Sequence, residues 1–290
     1  ETALTGSVDA ARADLEGYLE LPDCDRTETA LLVDGDDVVG SVYVQAEHLG
    51  KDVYVDVVVA PDHRRRLATE AGVAHAAAAA DRIVAARGES GWTMRITHPR
   101  EDEVLAEVLR GHGLEPVRQF FRMQIDSDSP DIPGSMPEPP AGVELVVRDD
   151  EETRRAFWAL DNEAFLDHWN FTPSPYEDWW EHFSAGNARD PEGWWLATVD
   201  GEPAGFCILD ESRAELGQGY VSVLGVRRAY RGRGIASWLL RRAFVYYRER
   251  GRDATLLGVD AESLTGAVGV YERVGMRAVR VLQGWARDLG

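Results

Sequence analysis

The sequence predicts a mixed α/β fold (α+β) in which one order of strands and helices occurs twice. Apolar runs typical of strands alternate with helical segments in both halves of the 290 residues. Five of the 13 prolines fall in residues 127–141, which show no hydrophobic periodicity. Residues 108–118 in the first half align with 270–280 in the second. We therefore expect two domains, 1–126 and 142–290, joined by a semi-extended linker.

The first half opens with a predicted β-hairpin. The second half has a predicted strand and helix before its hairpin, and the first half has no counterpart to them. Strands at 30–33 and 38–44 flank a turn of aspartates and glycine. A strand at 52–60 alternates and then becomes continuously apolar, and an alanine-rich helix at 66–87 ends before Gly88. The remaining predicted elements are a strand at 92–97, a helix at 101–110 and a strand pair within 114–125.

The second half repeats this order behind its own opening elements. A strand is predicted at 143–147, followed by helices at about 153–167 and 176–184. Strands at 194–199 and 204–209 form a second hairpin around an Asp-Gly-Glu turn. The remaining predicted elements are a strand at 219–226, a helix at 232–250, a strand at 254–259, a helix at 265–273 and a C-terminal strand region.

The composition argues against several classes of function. With 31 basic and 51 acidic residues the net charge is -20, whereas sequence-independent nucleic-acid binding needs a basic face. No apolar run approaches the ~20 residues of a membrane-spanning helix, and we see no leader peptide. Cys24 and Cys207 lie in different halves and form neither a disulfide framework nor a zinc cluster. We expect a cytoplasmic monomer or homodimer without metal, nucleic-acid or membrane partners.

The sharpest local motif is a glycine-rich turn between the strand at 219–226 and the helix behind it. Its residues are, in order, Arg231, Gly232, Arg233, Gly234, Ile235 and Ala236. A helix N-terminus has unpaired backbone N–H groups and a partial positive charge, so it binds phosphate, and glycine lets the anion come close. Residues 221–290 carry 13 basic and 6 acidic residues, a net of +7, in an otherwise acidic chain. The alternative is a plain glycine turn with solvated arginines.

In this setting the turn resembles the cofactor motif of the GNAT superfamily of acyl-CoA-dependent N-acyltransferases. That motif, Arg/Gln-x-x-Gly-x-Gly/Ala, is matched by Arg231, Gly234 and Ala236. A second superfamily motif, Tyr-x-x-x-Gly-Phe at the end of a helix, is matched by Tyr271 and Gly275, with methionine in place of phenylalanine. The resemblance covers the whole second half. It implies two tandem GNAT-like domains, each with a mixed, mostly antiparallel central sheet flanked by helices.

The resemblance also implies where acetyl-CoA binds. The pantetheine arm is expected against the backbone of Leu224, Gly225 and Val226, beside a bulge at Gly225, and the pyrophosphate on residues 231–236. Ser263 stands where the superfamily often has asparagine, and its hydroxyl is a further cofactor-binding candidate. The positive charge of the last seventy residues suits a polyanion such as coenzyme A, although solvated arginines on a surface helix explain part of it.

Acetyl transfer from a thioester to an amine needs a neutral amine, a polarised carbonyl and a proton for the departing thiolate. Tyr271 matches the usual general acid of the superfamily; without that resemblance, a tyrosine at this position is a packing residue. The strand position at which many members carry a glutamate base falls near Tyr220 or Ser222, so we assign no base. A water chain to an acidic residue within 210–215, or an amine that arrives deprotonated, remains open.

The candidate acceptor site is an aromatic and acidic stretch after the first helix of the second half. It contains Asp167, His168 and Trp169 and continues into 176–182. Aromatic faces and carboxylates suit a cationic amine through cation–π contacts and ion pairs. We therefore predict that these three residues bind a small-molecule amine. The alternatives are that most tryptophans here fill the core and that His168 caps or packs.

The first half has lost the residues that carry this chemistry. When the halves are aligned, Arg65 and Leu67 replace the two glycines of the turn, and Leu109 replaces the tyrosine. Side chains then occupy the space where phosphate meets backbone in the second half. We interpret 1–126 as a degenerate GNAT-like domain and 142–290 as the catalytic one, with weak cofactor binding by the first left open.

These observations predict an acetyl-CoA-dependent N-acetyltransferase acting on a primary amine of a small molecule. The tandem arrangement resembles that of the mycothiol synthases, which acetylate the cysteinyl amine of a glucosaminyl-inositol thiol precursor. That function is the first alternative. The second is a non-catalytic acyl-CoA-binding sensor or scaffold, which the missing strand carboxylate favours.

Overall fold

A computed structural model of the chain describes residues 12–47, 49–61, 65–185, 189–263 and 266–290. The described residues form two compact units. The first unit is built from Leu19–Phe120 together with Val281–Gly290, and the second mainly from Phe121–Arg280.

The first unit is a sheet with strand order β1-β2-β3-β4-β11. Its strands and the helices of the first half are β1 (Ala30–Asp34), β2 (Asp37–Glu47), β3 (Asp52–Val59), β4 (Trp92–Pro99), β11 (Arg277–Leu289), α1 (Arg12–Glu20), α2 (Arg65–Arg87) and α3 (Glu103–Gly111). β3 and β4 are parallel, whereas the other neighbouring strands are antiparallel. The predicted hairpin is confirmed, because β1 pairs with β2 around a turn in which Gly35 has a φ of 64°. Such a φ favours glycine.

The second unit is a sheet with strand order β5-β10-β9-β8-β7-β6. Its elements are β5 (Glu115–Asp126, from Phe121), β6 (Val143–Val146), α4 (Glu151–Ala164), α5 (Tyr176–Ser184), β7 (Arg189–Val199), β8 (Glu202–Asp210), β9 (Gln218–Val226), α6 (Ile235–Glu249), β10 (Ala254–Asp260) and α7 (Ala267–Arg273). β9 and β10 are parallel, whereas β6 and β7, β7 and β8, and β8 and β9 are antiparallel pairs. Each unit therefore has the mixed, mostly antiparallel sheet that the sequence predicts.

Apolar layers hold helices onto both sheets. In the first unit, the alanines and valines of α2 pack on valines of β2 and β3, and Trp92 and Trp285 are buried beside them. In the second unit, α6 and α7 cover one face of the sheet, and α4 and α5 cover the other with an aromatic layer that includes Phe157 and Trp194. Most of the tryptophans of this half are thus core residues, as one of the alternatives expected.

The compact units divide the chain at different positions from the predicted domains. β11 enters the first unit because Leu282–Leu289 pair with β4, and β5 enters the second unit next to β10. The proline-rich stretch belongs to the second unit, whose core includes Ile132. Two of its carbonyls accept hydrogen bonds, that of Pro137 from Trp238 Nε1 (3.1 Å) and that of Pro133 from Arg248 Nη2 (2.7 Å).

Two local predictions are wrong, and one helix was missed. The predicted strand pair within 114–125 is one continuous strand, β5, because no turn residue interrupts its alternation. The predicted helix at 232–250 begins only at Ile235, after a left-handed glycine. α1 was not predicted, since its leucines stay largely exposed and no apolar stripe marks it. Among the described helices, none has the length and apolarity needed to cross a bilayer.

Candidate functional site

The parallel strands of the second unit separate partway along their length. Their pairing ends where Val221 lies opposite Leu257. Beyond this point β9 continues to Val226 and β10 to Asp260. Over residues 222–226 the edge of β9 that faces β10 is therefore open among the described strands, and its backbone groups are available to a ligand.

β9 carries a bulge at the point where the strands separate. The bulged residue is Ser222, which the register between β8 and β9 skips. The predicted bulge at Gly225 is therefore wrong, because pairing with β8 is regular there. Gly225 instead permits close packing: a Cβ at this position would lie 2.4 Å from Phe206 Cε1 and 3.2 Å from Ala164 Cβ.

The glycine turn joins β9 to α6 and faces open space. Gly232 and Gly234 have φ values of 80° and 82°, in the left-handed region that favours glycine. A Cβ on Gly232 would meet no described atom within 4 Å, and one on Gly234 only Pro140 Cγ at 4.0 Å. The first N–H groups of α6 have no intrahelical acceptor. The turn thus presents hydrogen-bond donors, at the positive end of the helix dipole, to an accessible surface that fits a phosphate.

The two arginines of the turn have different surroundings. Arg231 donates from Nε to the carbonyl of Val226 (3.1 Å) and from Nη2 to that of Ala164 (3.3 Å). Its guanidinium therefore fixes the turn against the end of α4. Arg233 is exposed, and its guanidinium lies 5.3 Å from the centre of the Tyr230 ring. Arg233 is the more accessible of the two to an anion.

The remaining predicted cofactor residues lie around the same opening. Leu224 packs against the core under α6, and Ile235 is buried at the start of that helix. Ala236 is half-buried one residue further on. Ser263 lies in the turn after β10, where its N–H donates to the carbonyl of Asp260 (3.2 Å).

Two further arginines connect the phosphate turn to the chain around the end of α4. Arg227 pairs with Glu163 (2.7 Å), and Arg228 pairs with Asp167. These ion pairs are partly exposed, so each contributes little to stability, but with Arg231 they define where the turn lies. Asp167, a predicted acceptor residue, is thus engaged by the phosphate turn itself.

The other two predicted acceptor residues follow directly in the chain. His168 is half-buried, with its ring 4.5 Å from that of Phe165. Burial lowers the pKa of His168, and the carboxylate of Asp260 opposes this shift. Trp169 is 39% exposed and precedes Asn170, which has a left-handed φ of 59°. A neutral imidazole therefore lies near Asp260, at the end of β10, and the indole of the next residue is accessible.

Tyr271 lies on α7 in the core cluster that also contains Leu224 and Cys207. It is 9% exposed, and desolvation, with a further contribution from Cys207, raises its pKa to about 12. Cys207 pairs with Leu224 in the sheet, so the tyrosine shares its apolar cluster with a residue of the open segment of β9. A phenol with this pKa stays protonated at neutral pH and can donate a proton.

The strand position expected for a general base is occupied by Tyr220 and Ser222. Arg122 donates from Nη1 to the Tyr220 hydroxyl (2.8 Å), and its guanidinium lies 5.2 Å from the centre of that ring. A Cβ on Gly258 of β10 would lie 3.2 Å from the same hydroxyl. Arg122 comes from β5, 98 residues earlier in the chain, and no local motif could have indicated it.

Of the three acidic residues offered as alternatives to a base, Asp210, Glu211 and Glu215, the first two have partners in the turn after β8. Asp210 accepts a hydrogen bond from the N–H of Ser212 (2.6 Å). Glu211 pairs with Arg252 (2.8 Å). Both carboxylates therefore have structural roles in the turn after β8.

An open parallel strand pair, a glycine turn that fits a phosphate and a buried tyrosine form a candidate acyltransferase site, and comparison with known proteins supports this class. The Acetyltransferase (GNAT) family matches residues 154–276. The mycothiol acetyltransferase of Streptomyces coelicolor is 30% identical over 84% of this chain and 74% of its own. That of Rhodococcus erythropolis is 28% identical over 89% of this chain and 83% of its own. The chain belongs to the GNAT family of acetyltransferases.

Solved structures confirm the predicted fold class. A GCN5-related N-acetyltransferase from Sphaerobacter thermophilus is 28% identical, with a TM-score of 0.77 over 99% of this chain and 89% of its own. A tandem GNAT protein from the clavulanic acid biosynthesis pathway is 18% identical, with a TM-score of 0.71 over 99% of this chain and 92% of its own. The latter likeness concerns the fold alone.

Proposed function

We propose that this protein transfers an acetyl group from acetyl-CoA to a primary amine of a small molecule, and that the second unit carries the activity. The main observation in support is that the second unit combines the open edge of β9 with the glycine turn at the start of α6. The open strand edge suits an extended chain with amide groups, such as pantetheine, and the glycine turn suits a pyrophosphate. Family membership supplies the reaction type.

The described residues suit acetyl-CoA as the donor. The N–H groups of 232–236 would hold the pyrophosphate, with Arg233 as an accessible cation. The open backbone of Leu224 and the N–H of Val226 would hold the pantetheine arm, whereas the Val226 carbonyl already accepts from Arg231. Ser263 offers a hydroxyl at the next turn. When bound, acetyl-CoA supplies the acetyl group as an activated thioester.

Tyr271 is the proposed general acid. Its raised pKa keeps the phenol protonated, so it can donate a proton to the departing thiolate. No base is assigned, because Tyr220 and Ser222 occupy the expected position. The amine would enter on the side of Asp167, His168 and Trp169. The aromatic rings of His168 and Trp169 suit an amine, whereas the carboxylate of Asp167 is paired with Arg228.

The first acceptor to test is the cysteinyl amine of the mycothiol precursor. Relatives named mycothiol acetyltransferase match between 82% and 92% of this chain at 26–30% identity. Their coverage includes both halves, whereas the GNAT family match covers only 154–276. This supports the hypothesis that the acceptor is the mycothiol precursor over the hypothesis that the protein acts, like a single-domain acetyltransferase, on an unrelated amine.

Thiol release from acetyl-CoA tests the proposal. The assay would include the mycothiol precursor, polyamines, aminoglycosides and amino acids, with calorimetric titration of acetyl-CoA in parallel. We expect release with one class of amine and saturable acetyl-CoA binding. Release with none of them, together with tight binding, would favour a non-catalytic acyl-CoA sensor, the reading that the absent base supports. If acetyl-CoA does not bind at all, both the acetyltransferase proposal and the acyl-CoA sensor alternative are overturned.

A further inference from the structure

A tyrosine hydroxyl lies where the parallel strands of the second unit separate. The last paired residues of β9 and β10 are Val221 and Leu257. Tyr220 precedes this pair on β9, and Gly258 follows it on β10. A Cβ on Gly258 would lie 3.2 Å from the Tyr220 hydroxyl oxygen. The side chain therefore crosses towards β10, and its hydroxyl lies at the closed end of the gap between the two strands.

The hydroxyl borders an accessible part of this gap. Tyr220 is half-buried, whereas Ser222 and Gly258, which lie just beyond the last pair on the two strands, are exposed. Because Gly258 has no side chain, its exposed surface is backbone, directly beside the hydroxyl. A group held at the closed end of the gap is therefore within reach of the hydroxyl.

Arg122 holds this hydroxyl in place and polarises it. It donates from Nη1 to the Tyr220 hydroxyl oxygen (2.8 Å), and its guanidinium lies 5.2 Å from the ring centre. A guanidinium only donates, so the phenol oxygen is the acceptor. The hydroxyl makes no other hydrogen bond among the described residues, which leaves its own proton to donate. A hydroxyl whose oxygen accepts from a cation is a stronger donor, because linked hydrogen bonds polarise one another.

Tyr220 and Tyr271 lie on opposite faces of the sheet. Side chains alternate along a strand, and both neighbours of Tyr220 face α6. Val221 belongs to the core cluster under α6, and a Cβ on Gly219 would meet the ring of Tyr247 on that helix. Tyr271 belongs to the same cluster under α6. A group held in the gap therefore has the Tyr220 hydroxyl on one side and the cluster of Tyr271 on the other.

Acetyl transfer needs a hydrogen-bond donor at the thioester carbonyl. As an amine attacks, the carbonyl oxygen gains negative charge, and a fixed donor stabilises that charge. Under the proposed function, the pyrophosphate binds at the glycine turn and the pantetheine arm along 222–226. The thioester is at the end of that arm remote from the pyrophosphate. The end of the open segment remote from the turn is the closed end of the gap, beside Tyr220.

We propose that the Tyr220 hydroxyl donates a hydrogen bond to the carbonyl oxygen of the thioester, and that Arg122 positions and polarises this hydroxyl. The inference rests on the proposed function and deepens it. Tyr220 is then a catalytic residue, and Arg122 is a positioning residue that acts through it. At the strand position where many members of the family carry a glutamate, this chain has a hydrogen-bond donor instead.

The infrared band of the carbonyl tests this contact without turnover. Acetyl-CoA labelled with carbon-13 at the carbonyl is bound to the full chain in the absence of an amine. A hydrogen bond to the carbonyl oxygen lowers the C=O frequency, so we expect a lower frequency in the wild type than in Tyr220→Phe. Tyr176→Phe is the matched control, because Tyr176 on α5 also has a hydrogen-bonded hydroxyl and the Arg155 guanidinium 4.0 Å from its ring centre. It should leave the band unchanged.

Kinetics distinguish a contact with the carbonyl from a contact with the acceptor. Tyr220→Phe retains the ring against Arg122 and should lower kcat about 100-fold, as for loss of one donor to a developing oxyanion, with KM for both substrates nearly unchanged. A raised KM for the amine at unchanged kcat would show that the hydroxyl contacts the acceptor, which would overturn the proposal.

A double-mutant cycle tests the role of Arg122. Arg122→Met should lower kcat about ten-fold in the wild type and have no further effect in Tyr220→Phe, because Arg122 acts through the hydroxyl. Arg122→Lys retains a charged donor and should recover part of the loss. Equal losses in the two backgrounds would overturn the positioning role. Thermal unfolding confirms that each variant folds.

Calorimetric titration of acetyl-CoA separates failure of this inference from failure of the proposed function. If the wild type does not bind acetyl-CoA, both are overturned. If the wild type binds acetyl-CoA and releases its thiol, but folded Tyr220→Phe keeps either the wild-type carbonyl frequency or the wild-type kcat, this inference alone is overturned.

Discussion

The two units begin their main helices differently, and the difference concerns the residues that we propose bind phosphate in the second unit. In the second unit, α6 begins at Ile235, after two glycines with left-handed φ. In the first unit, α2 begins at Arg65, which aligns with Gly232, three residues earlier in the repeat. Residues that form an open turn in one unit are thus already helical in the other. Each helix packs on its sheet, although only α6 follows a glycine turn whose backbone is open.

Two of the three substituted positions of the first unit contribute to its packing instead. Arg65 pairs with Asp102, and both side chains are nearly buried, at 13% and 8% exposure. Leu109, which aligns with Tyr271, is fully buried in the core. Leu67, which aligns with Gly234, is 67% exposed. We propose that this unit is degenerate for catalysis and that the acetyltransferase chemistry belongs to the second unit.

Converting the second turn into the first should have the largest effect. In the double variant Gly232→Arg and Gly234→Leu, side chains occupy the phosphate space and the left-handed backbone is strained. We expect acetyl-CoA affinity to fall at least about 1,000-fold, measured by calorimetry, because several charge-assisted hydrogen bonds are lost. Gly251→Ala is the matched control, since Gly251 also has a left-handed φ, of 72°, but ends α6. It should lower the melting temperature and leave affinity unchanged; an equal loss of affinity would contradict the account.

Replacing the acid should affect turnover rather than binding. Tyr271→Phe keeps the packing of the ring and removes the proton, so kcat should fall about 100-fold with KM for acetyl-CoA nearly unchanged. Because the pKa of Tyr271 is raised to about 12, the wild-type kcat should not decline from loss of this proton below about pH 10. Tyr246→Phe removes a phenol that donates to Asp190 on the other side of α6 and should retain kcat. Unchanged kcat in Tyr271→Phe would remove the residue from the mechanism.

Breaking the buried ion pair of the first unit should reduce stability and spare activity. Arg65→Ala leaves the buried Asp102 without its cation, which should cost about 3 kcal/mol in the free energy of unfolding. Arg66→Ala is the control, because Arg66 and Glu107 are 53% and 57% exposed, and no change is expected. Urea unfolding measures stability, and thiol release measures activity below the transition. A loss of turnover in folded Arg65→Ala would assign the first unit a part in catalysis.

Loosening the turn should have a smaller effect. Arg231→Ala removes two hydrogen bonds to the carbonyls of Val226 and Ala164, so the turn is less well positioned. We expect KM for acetyl-CoA to rise about 10-fold, equivalent to about 1.4 kcal/mol. Arg155→Ala, on an exposed part of α4, should leave KM unchanged. If KM is the same in both variants, these hydrogen bonds do not position the turn.

The smallest effect is a gain in stability with a defined pH dependence. Asp161 is buried under α5, and desolvation raises its pKa from 3.8 to about 6 although Trp179 donates to it. Between pH 4 and pH 6 this carboxyl group is deprotonated in the unfolded chain but still protonated in the folded one. The free energy of unfolding therefore falls as pH rises from about 4 to 6. Asp161→Asn retains an acceptor for Trp179 and should stabilise by about 1–2 kcal/mol at pH 7. The gain should vanish near pH 4; a gain independent of pH would contradict this origin.

Local patterns predicted most elements and the glycine turn before α6, whereas they could not predict the long-range strand pairing. The turn before β2 and the glycine after α2 are signals within a few residues, so these boundaries could be predicted. β11 completes the sheet of the first unit and β5 that of the second. The sequences of these two strands alone do not specify which sheet each one joins. The bulge at Ser222 carries no glycine signal, and Arg122 reaches Tyr220 from a distant strand.

The number of acetyl-CoA molecules bound per chain tests the central claim most directly. Calorimetric titration of the wild type should give one site, and the variant with both Gly232→Arg and Gly234→Leu should give none. Two sites in the wild type, or one site that survives in the variant, would contradict the assignment of acetyl-CoA binding to the second unit alone.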